Sequence, residues 1–292
     1  MTVISFLVFL LPALAGILII HLFWKERNAI AMLFKMCLGA GLGLGINSLL
    51  YFVCLLSEME QQGIFAIQFI LLILLVAITV LQENRTHWIN FKIPIPSRLQ
   101  LVLLCALFAA VVFSGLIFIN LTSARPQGAR DAWSIWNRAA RFIYRDSENW
   151  SATISPELYW ATHPDYPLLV PLNVAWGWER VKTETQRVPM MQSAIFTFAS
   201  IGLLFSSVAL MRTMGQASLA PLILMGTPTL LDAGYAQISD ILLSFFILAT
   251  CTLMYLYFTH EKTALLMLSG LTAGLAAWTK NEGLLFVAAS FI

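Results

Sequence analysis

The sequence predicts an all-α polytopic membrane protein, a bundle of about eight to nine transmembrane helices with one large external loop containing amphipathic interfacial helices. Three observations predict it. Of 292 residues, 59% are hydrophobic and only 11% charged, with a mean hydropathy of +0.81, whereas about a quarter of an ordinary soluble domain is charged. Several apolar runs reach the ~20 residues that a helix needs to cross ~30 Å of hydrocarbon. None shows the roughly ten-residue alternation of a membrane β-barrel.

Taken in order, the apolar pattern places spans near residues 3–24, 30–56, 64–82, 99–120, 189–211, 217–235, 241–258 and 264–279, with a ninth starting near Gly283. In the first, Ala13-Leu14-Ala15 resembles a signal cleavage site, but no positive segment precedes the apolar run, so it reads as a retained span. Gly39, Gly41, Gly43 and Gly45 lie in the second at GxxxG spacing and read as close helix packing rather than a phosphate loop. The apolar residues from Leu284 to Ile292 rise only ~13.5 Å as helix, less than half a bilayer, so the chain is expected to continue. The expected division is therefore 1–120 for four N-terminal transmembrane helices, 121–188 for an external loop, and 189–292 for further transmembrane helices cut short at the C-terminus.

A net charge of +2, without any long Lys/Arg block, gives no argument for a nucleic-acid partner. Cys37, Cys54, Cys105 and Cys251 fall inside apolar runs with no metal-like spacing and are expected as buried free thiols. The basic residues instead speak to orientation. Lys25 and Arg27 follow span one, Arg85, Lys92 and Arg98 follow span three, Arg212 follows span five and Lys262 follows span seven, whereas Glu58 and Glu60 follow span two. The connectors after odd-numbered spans read as cytoplasmic, which puts the N-terminus, the 121–188 loop, the Asp232-to-Asp240 connector and the Thr279–Glu282 turn together on the external face. A multi-pass protein of the bacterial inner (plasma) membrane, with its polar loop external, is the expected placement. The sequons at Asn84, Asn120 and Asn149 decide nothing, and His21, His87 and His260 sit singly at span ends.

The 121–188 loop is the only long polar stretch, and residues 129–145 (ARDAWSIWNRAARFIYR) divide into two faces when wound as a helix. Trp133, Trp136, Ala140, Ile143 and Tyr144 cluster on one, and Arg130, Ser134, Arg138, Arg141 and Arg145 on the other, with Asp131 at its edge. Such a helix can lie on the bilayer with its arginines on lipid phosphates. The same row of planar forks suits a phosphate or pyrophosphate ligand, and Asp131 beside it could take a proton from a hydroxyl. Asp131 could equally serve the helix start, where a carboxylate meets the macrodipole.

Further along, His163-Pro164-Asp165-Tyr166-Pro167 reads either as a rigid turn with local Asp hydrogen bonds or as part of a site. Asp240 stands at the external start of span seven, where a carboxylate is costly unless hydrated, paired or functional. Lys280 and Glu282 could pair with each other, reach headgroups, or bind substrate. Their common sidedness favours function.

Three separated patterns then resemble a known group: Asp131-Ala-Trp-Ser-Ile-Trp opening a loop helix, Tyr-Ala-Gln-Ile-Ser-Asp240-Ile-Leu-Leu-Ser-Phe-Phe at a span entry, and Gly270-Leu-Thr-Ala-Gly274-Leu-Ala-Ala-Trp-Thr-Lys280-Asn-Glu-Gly283. Together with His163-Pro-Asp-Tyr-Pro-Leu-Leu, they resemble GT-C glycosyltransferases of the protein O-mannosyltransferase and aminoarabinose transferase group, over about residues 125–292. The resemblance implies a membrane enzyme of the cell envelope that moves a hexose or pentose from a polyprenyl-phosphate donor to a hydroxyl of a lipid, glycan or protein acceptor, with inversion. It implies Asp131 as catalytic base and Asp240 as a second acidic catalytic position. Arg130, Arg138, Arg141, His163, Asp165, Tyr166, Lys280 and Glu282 are the expected substrate-binding residues. A divalent metal is left open, since related enzymes differ. Asp165 replaces the second proline of the group's His-Pro-Pro-Leu segment, and spans one to three read as an N-terminal addition. Two other readings fit the same residues: a flippase or transporter of a lipid-linked substrate, and a noncatalytic membrane scaffold. The former usually places its ionisable groups near the midplane, not at one face.

Overall fold

The computed structural model describes residues 7–82 and 96–290, and these form helices and connectors without a strand. Arg85, Lys92, His87 and the Asn84 sequon lie outside the described residues. The helices are α1 (Leu10–Phe23), α2 (Ala29–Leu56), α3 (Gln61–Gln82), α4 (Arg98–Ala124), α5 (Asn137–Arg145), α6 (Leu169–Val181), α7 (Arg187–Met211), α8 (Met214–Met225), α9 (Pro228–Tyr235), α10 (Asp240–His260), α11 (Thr263–Thr279) and α12 (Asn281–Ser290). Five are long and apolar enough to cross a membrane, namely α2, α3 from Gly63, α4, α7 and α10; α1, α8 and α11 are shorter apolar helices. The protein is an integral, multi-pass membrane protein.

Helix α2 is central, and its glycines show how. A methyl group on Gly39 or Gly43 would strike Ile17 or Pro12 of α1, while one on Gly41 or Gly45 would strike Phe245 of α10 or Leu275 of α11. The four glycines thus serve two opposite faces, letting α1 approach on one side and the α10–α11 pair on the other. Trp278 of α11 donates to Ser48 Oγ of α2 at 3.1 Å and packs on Phe52 at 5.1 Å. The N-terminal helices are therefore packed into the same body as the segment that carries Lys280.

Two elements depart from the expected pattern. The run 217–235 is two helices, α8 and α9, separated at Gly226-Thr227-Pro228. Pro228 occupies the first turn of α9, and Thr227 before it is extended, as a residue preceding proline prefers. Within the expected external loop lies α6, 13 residues long and buried along almost its whole length. It carries Asn173, which is fully buried and donates to the Leu44 carbonyl at 3.0 Å. Asn173 Oδ1 accepts from Asn47 at 2.9 Å, Asn47 Oδ1 accepts from Gln68 at 2.7 Å, and Gln68 Oε1 accepts from Trp176 Nε1 at 2.9 Å. This chain of paired amides ties α2, α3 and α6 together. Among the cysteines, Cys54 is buried as expected, whereas Cys105 and Cys251 lie on outer helix faces.

Candidate active site

The site begins with a clasp between two distant connectors. Ala129 N donates to Ala236 O at 2.9 Å, and Gln237 Nε2 donates to Pro126 O at 3.1 Å. Both strands of the clasp use left-handed backbone: Gly128 has φ +73, where a Cβ would press on Ala236 O, and Gln237 has φ 58. Only glycine meets the first of these needs without strain. The clasp sets the start of the loop helix, with Asp131 two residues after Ala129, against the connector that delivers Asp240 four residues after Ala236.

Asp131 is exposed, and its side chain makes no capping hydrogen bond. A π-helical turn over Ala132–Trp136 follows it directly, before α5. The wider turn shifts the helical register, so Trp133 is 49% exposed instead of joining the apolar face, while Trp136, Ala140 and Ile143 are buried. That apolar face is covered by protein, chiefly α6: Tyr144 meets Trp178 edge-on at 5.9 Å.

Trp136 stacks on Tyr166 at 5.3 Å, and Tyr166 stacks on His163 at 4.8 Å, forming a three-ring column. His163 Nδ1 lies 3.8 Å from Asp165 Oδ1, and Asp165 Oδ2 accepts from Asn281 Nδ2 at 2.9 Å. Next to Asn281, Lys280 is bound by two carboxylates, Asp240 Oδ1 and Glu282 Oε1, each at 3.1 Å. Burial works against the charge on Lys280, but the hydrogen bonds and charges of its two partners outweigh it and raise its pKa above the ordinary 10.5. The Tyr166 phenol is also pushed up, first by burial; Lys280 opposes this, while Glu282, Asp165 and Asp240 add to it. His163, Asp165, Tyr166, Asp240, Lys280 and Glu282 are therefore gathered into one cluster, although they come from three separated stretches.

The arginines divide. Arg138 lines a shallow groove with Thr153, Thr162, His163 and Tyr166. Arg141 and Arg145 turn instead to Glu184, at 3.3 Å for Arg141 Nε and 2.9 Å for Arg145 Nη2. The hydrogen bond from Arg145 is the largest influence holding the Glu184 carboxyl below its ordinary 4.5; partial burial opposes it, and the charges of Arg145 and Arg141 reinforce it. Arg141 also lies over the Trp178 ring at 5.6 Å. Arg130 is exposed at the start of the loop helix. Glu184, Asn281 and Gln237 are not singled out by sequence, since the partner of each is far away in the chain. Among the described residues, no group of three or more His, Cys, Asp or Glu is arranged to hold a metal ion.

Residues 165–292 match the sequence model of the family described as dolichyl-phosphate-mannose-protein mannosyltransferase. No curated protein and no solved structure matches the chain. The family match contains Asp165, Tyr166, Asp240, Lys280 and Glu282, and it stops short of Asp131 and the arginines. The match over residues 165–292, among described residues that are all-helical and include five helices fit to cross a membrane, supports a membrane glycosyltransferase of the GT-C type.

Proposed function

We propose that the protein transfers a sugar from a polyprenyl-phosphate donor to an acceptor hydroxyl on the external face of the membrane, by a single inverting displacement. In this reading α1 and α11 each cross the membrane, α8 and α9 together make one broken crossing, and α12 begins a ninth, which completes the eight to nine spans expected from the sequence. The loop bearing Asp131 and the Asp240, Lys280 and Glu282 cluster face the outside.

Asp131 is the base. It takes the proton of the acceptor hydroxyl as that oxygen attacks the anomeric carbon, while the bond from that carbon to the phosphate oxygen breaks and the phosphate leaves with the electron pair. The observation that carries this assignment is the difference between the two candidate carboxylates: Asp131 is exposed without a capping bond, whereas Asp240 is bonded to Lys280. The carboxylate held by an ammonium already has one oxygen occupied, whereas the one on the facing segment is open to an acceptor hydroxyl. Arg138, in the groove with His163, is the phosphate ligand, since an arginine fork meets phosphate oxygens with two parallel bonds. Arg130 is placed to assist at the start of the same helix. Lys280 is occupied by two carboxylates, so its role is to hold Asp240 and Glu282 in place. His163, Asp165 and Tyr166 form the substrate-facing wall, with Asn281 orienting Asp165. The acceptor, whether lipid, glycan or protein, approaches Asp131 from the exposed side of the loop helix.

The test is an assay of the full-length protein in lipid with polyprenyl phosphate esters of mannose, glucose and aminoarabinose. Acceptor-dependent release of polyprenyl phosphate, with the opposite anomeric configuration in the product, is expected for one of them. Movement of intact donor across the bilayer without release would favour a flippase.

A further inference from the structure

The approach to Asp240 contains buried polar atoms that the proposed displacement does not use. Gln192 of α7 is 2% exposed, Gln237 5% and Ser239 0%. Both amide atoms of Gln192, Oε1 of Gln237 and Oγ of Ser239 nevertheless have no hydrogen-bond partner. Folded proteins pair nearly all their buried polar atoms, and unpaired ones call for an explanation. Ser239 stands at the start of α10, where a serine would ordinarily cap the helix, yet it makes no capping bond.

These side chains belong to one level of the bundle. Ser193, next to Gln192, donates to the Gly234 carbonyl just before the clasp. Phe196 meets Phe245 and Phe246 of α10 edge-on at 5.2 and 5.6 Å. Gln192 lies one turn before Phe196 on the same face of α7, which carries it from the Phe245 level towards the start of α10. Gln237 and Ser239 both precede that start, and Asp240 follows at once.

We infer that Gln192, Gln237 and Ser239 form a hydroxyl-binding subsite for the transferred sugar, beside the Asp240–Lys280 pair; the inference rests on the glycosyltransferase reading above. The chemistry of the groups selects the ligand. An amide and a hydroxyl both donate and accept, as sugar hydroxyls do. A phosphate would call for cations and donors alone, and a prenyl tail for apolar walls. An uncharged set of mixed donors and acceptors suits a neutral polyol, and two of its three members lie within three residues of Asp240 in the chain.

The experiment measures binding to the full-length chain in lipid nanodiscs, using bare polyprenyl phosphate and its mannose, glucose and aminoarabinose esters. Wild type is expected to bind one ester at least roughly tenfold more tightly than the bare lipid. In Gln192→Leu that preference should disappear while bare polyprenyl phosphate binds as before, because a site built to bond a hydroxyl discriminates through its own unpaired groups. The melting temperature of Gln192→Leu should be equal or higher, since an unpaired amide has been replaced by an apolar group of similar size. Ser239→Ala, a smaller change, should reduce the same preference and serves if Gln192→Leu does not fold. A wild type that distinguishes no ester overturns the donor reading and the subsite together. A preference that survives in both variants overturns the subsite alone.

Discussion

The backbone N–H of Ala129 donates to the carbonyl of Ala236 at 2.9 Å, joining the segment that leads into Asp131 to the one that leads into Asp240. Residues more than a hundred positions apart are thereby fixed within a few residues of both carboxylates. A catalytic base must be held to within a fraction of an ångström of its proton donor, and under the proposed function this clasp would supply that constraint without involving either carboxylate.

Gly128→Ala tests the clasp. A Cβ at φ +73 is strained and presses on Ala236 O, so the local cost is expected at about 1–2 kcal/mol. Turnover should fall at least about tenfold while donor affinity stays near wild type, because the groove around Arg138 lies outside the clasp. Loss of donor binding with unchanged turnover per bound donor would show that the clasp serves the groove instead.

The two arginines that sequence alone places on one face should separate in experiment. Arg138→Ala is expected to weaken donor binding by about 10- to 100-fold, the value of a charge-assisted bond to phosphate, and Arg141→Ala to leave it nearly unchanged. Arg141 and Arg145 hold Glu184, whose carboxyl lies below its ordinary 4.5. A depressed carboxyl contributes stability that is present above its unfolded pKa and is lost as the pH falls through the folded one. Melting curves of wild type and Glu184→Gln should therefore differ at neutral pH and converge only below about pH 4.5.

Lys280 titrates in the opposite sense. Its folded pKa is raised above 10.5, so its stabilising contribution is fully present below that pH and is lost only as the pH rises through the higher folded value. The pH–rate profile between pH 6 and 9 should carry no Lys280 limb. Lys280→Met should lose activity across this whole range, because Asp240 and Glu282 are left without their shared cation. Comparison of wild-type and Lys280→Met profiles settles it: a wild-type alkaline limb below pH 9 that vanishes in the variant would contradict the pairing.

Much of the fold was legible because long apolar runs in an otherwise polar-poor chain have few alternatives to helices. The break at Gly226-Thr227-Pro228 was written in the sequence but was overridden by the continuous hydropathy around it. Helix α6 was hidden for a different reason. It is too short to read as a span, it is buried on every side and so has no polar face, and its Asn173 is matched only by Asn47 and Gln68 from other helices. The sequence puts Asp240, Lys280 and Glu282 on one expected face of the membrane, and the structure pairs them, whereas Asn281 to Asp165 spans 116 positions and has no such cue. Pairings of that kind depend on how helices pack, not on any local pattern. The division between Arg138 and Arg141 was hidden in the same way, by Glu184.

Asn173→Leu tests whether the N-terminal helices are part of the working body. It leaves the Asn47 amide without its acceptor in a dry interior, so a loss of about 1–3 kcal/mol is expected, seen as a lower melting temperature and reduced activity together. Unchanged stability would show that the amide chain contributes nothing and that α2 and α3 are peripheral after all.

The central claim is that Asp131 removes the acceptor proton, and single-turnover transfer by Asp131→Asn measures it most directly. The substitution keeps the size of the side chain, disturbs no capping bond, and abolishes proton acceptance. Loss of a positioned base costs about 10²- to 10⁴-fold in rate. The account predicts a folded protein that binds the donor lipid as wild type does and transfers sugar at least a hundredfold more slowly, whereas near-normal transfer by Asp131→Asn would contradict it and move the base to Asp240 or Asp165.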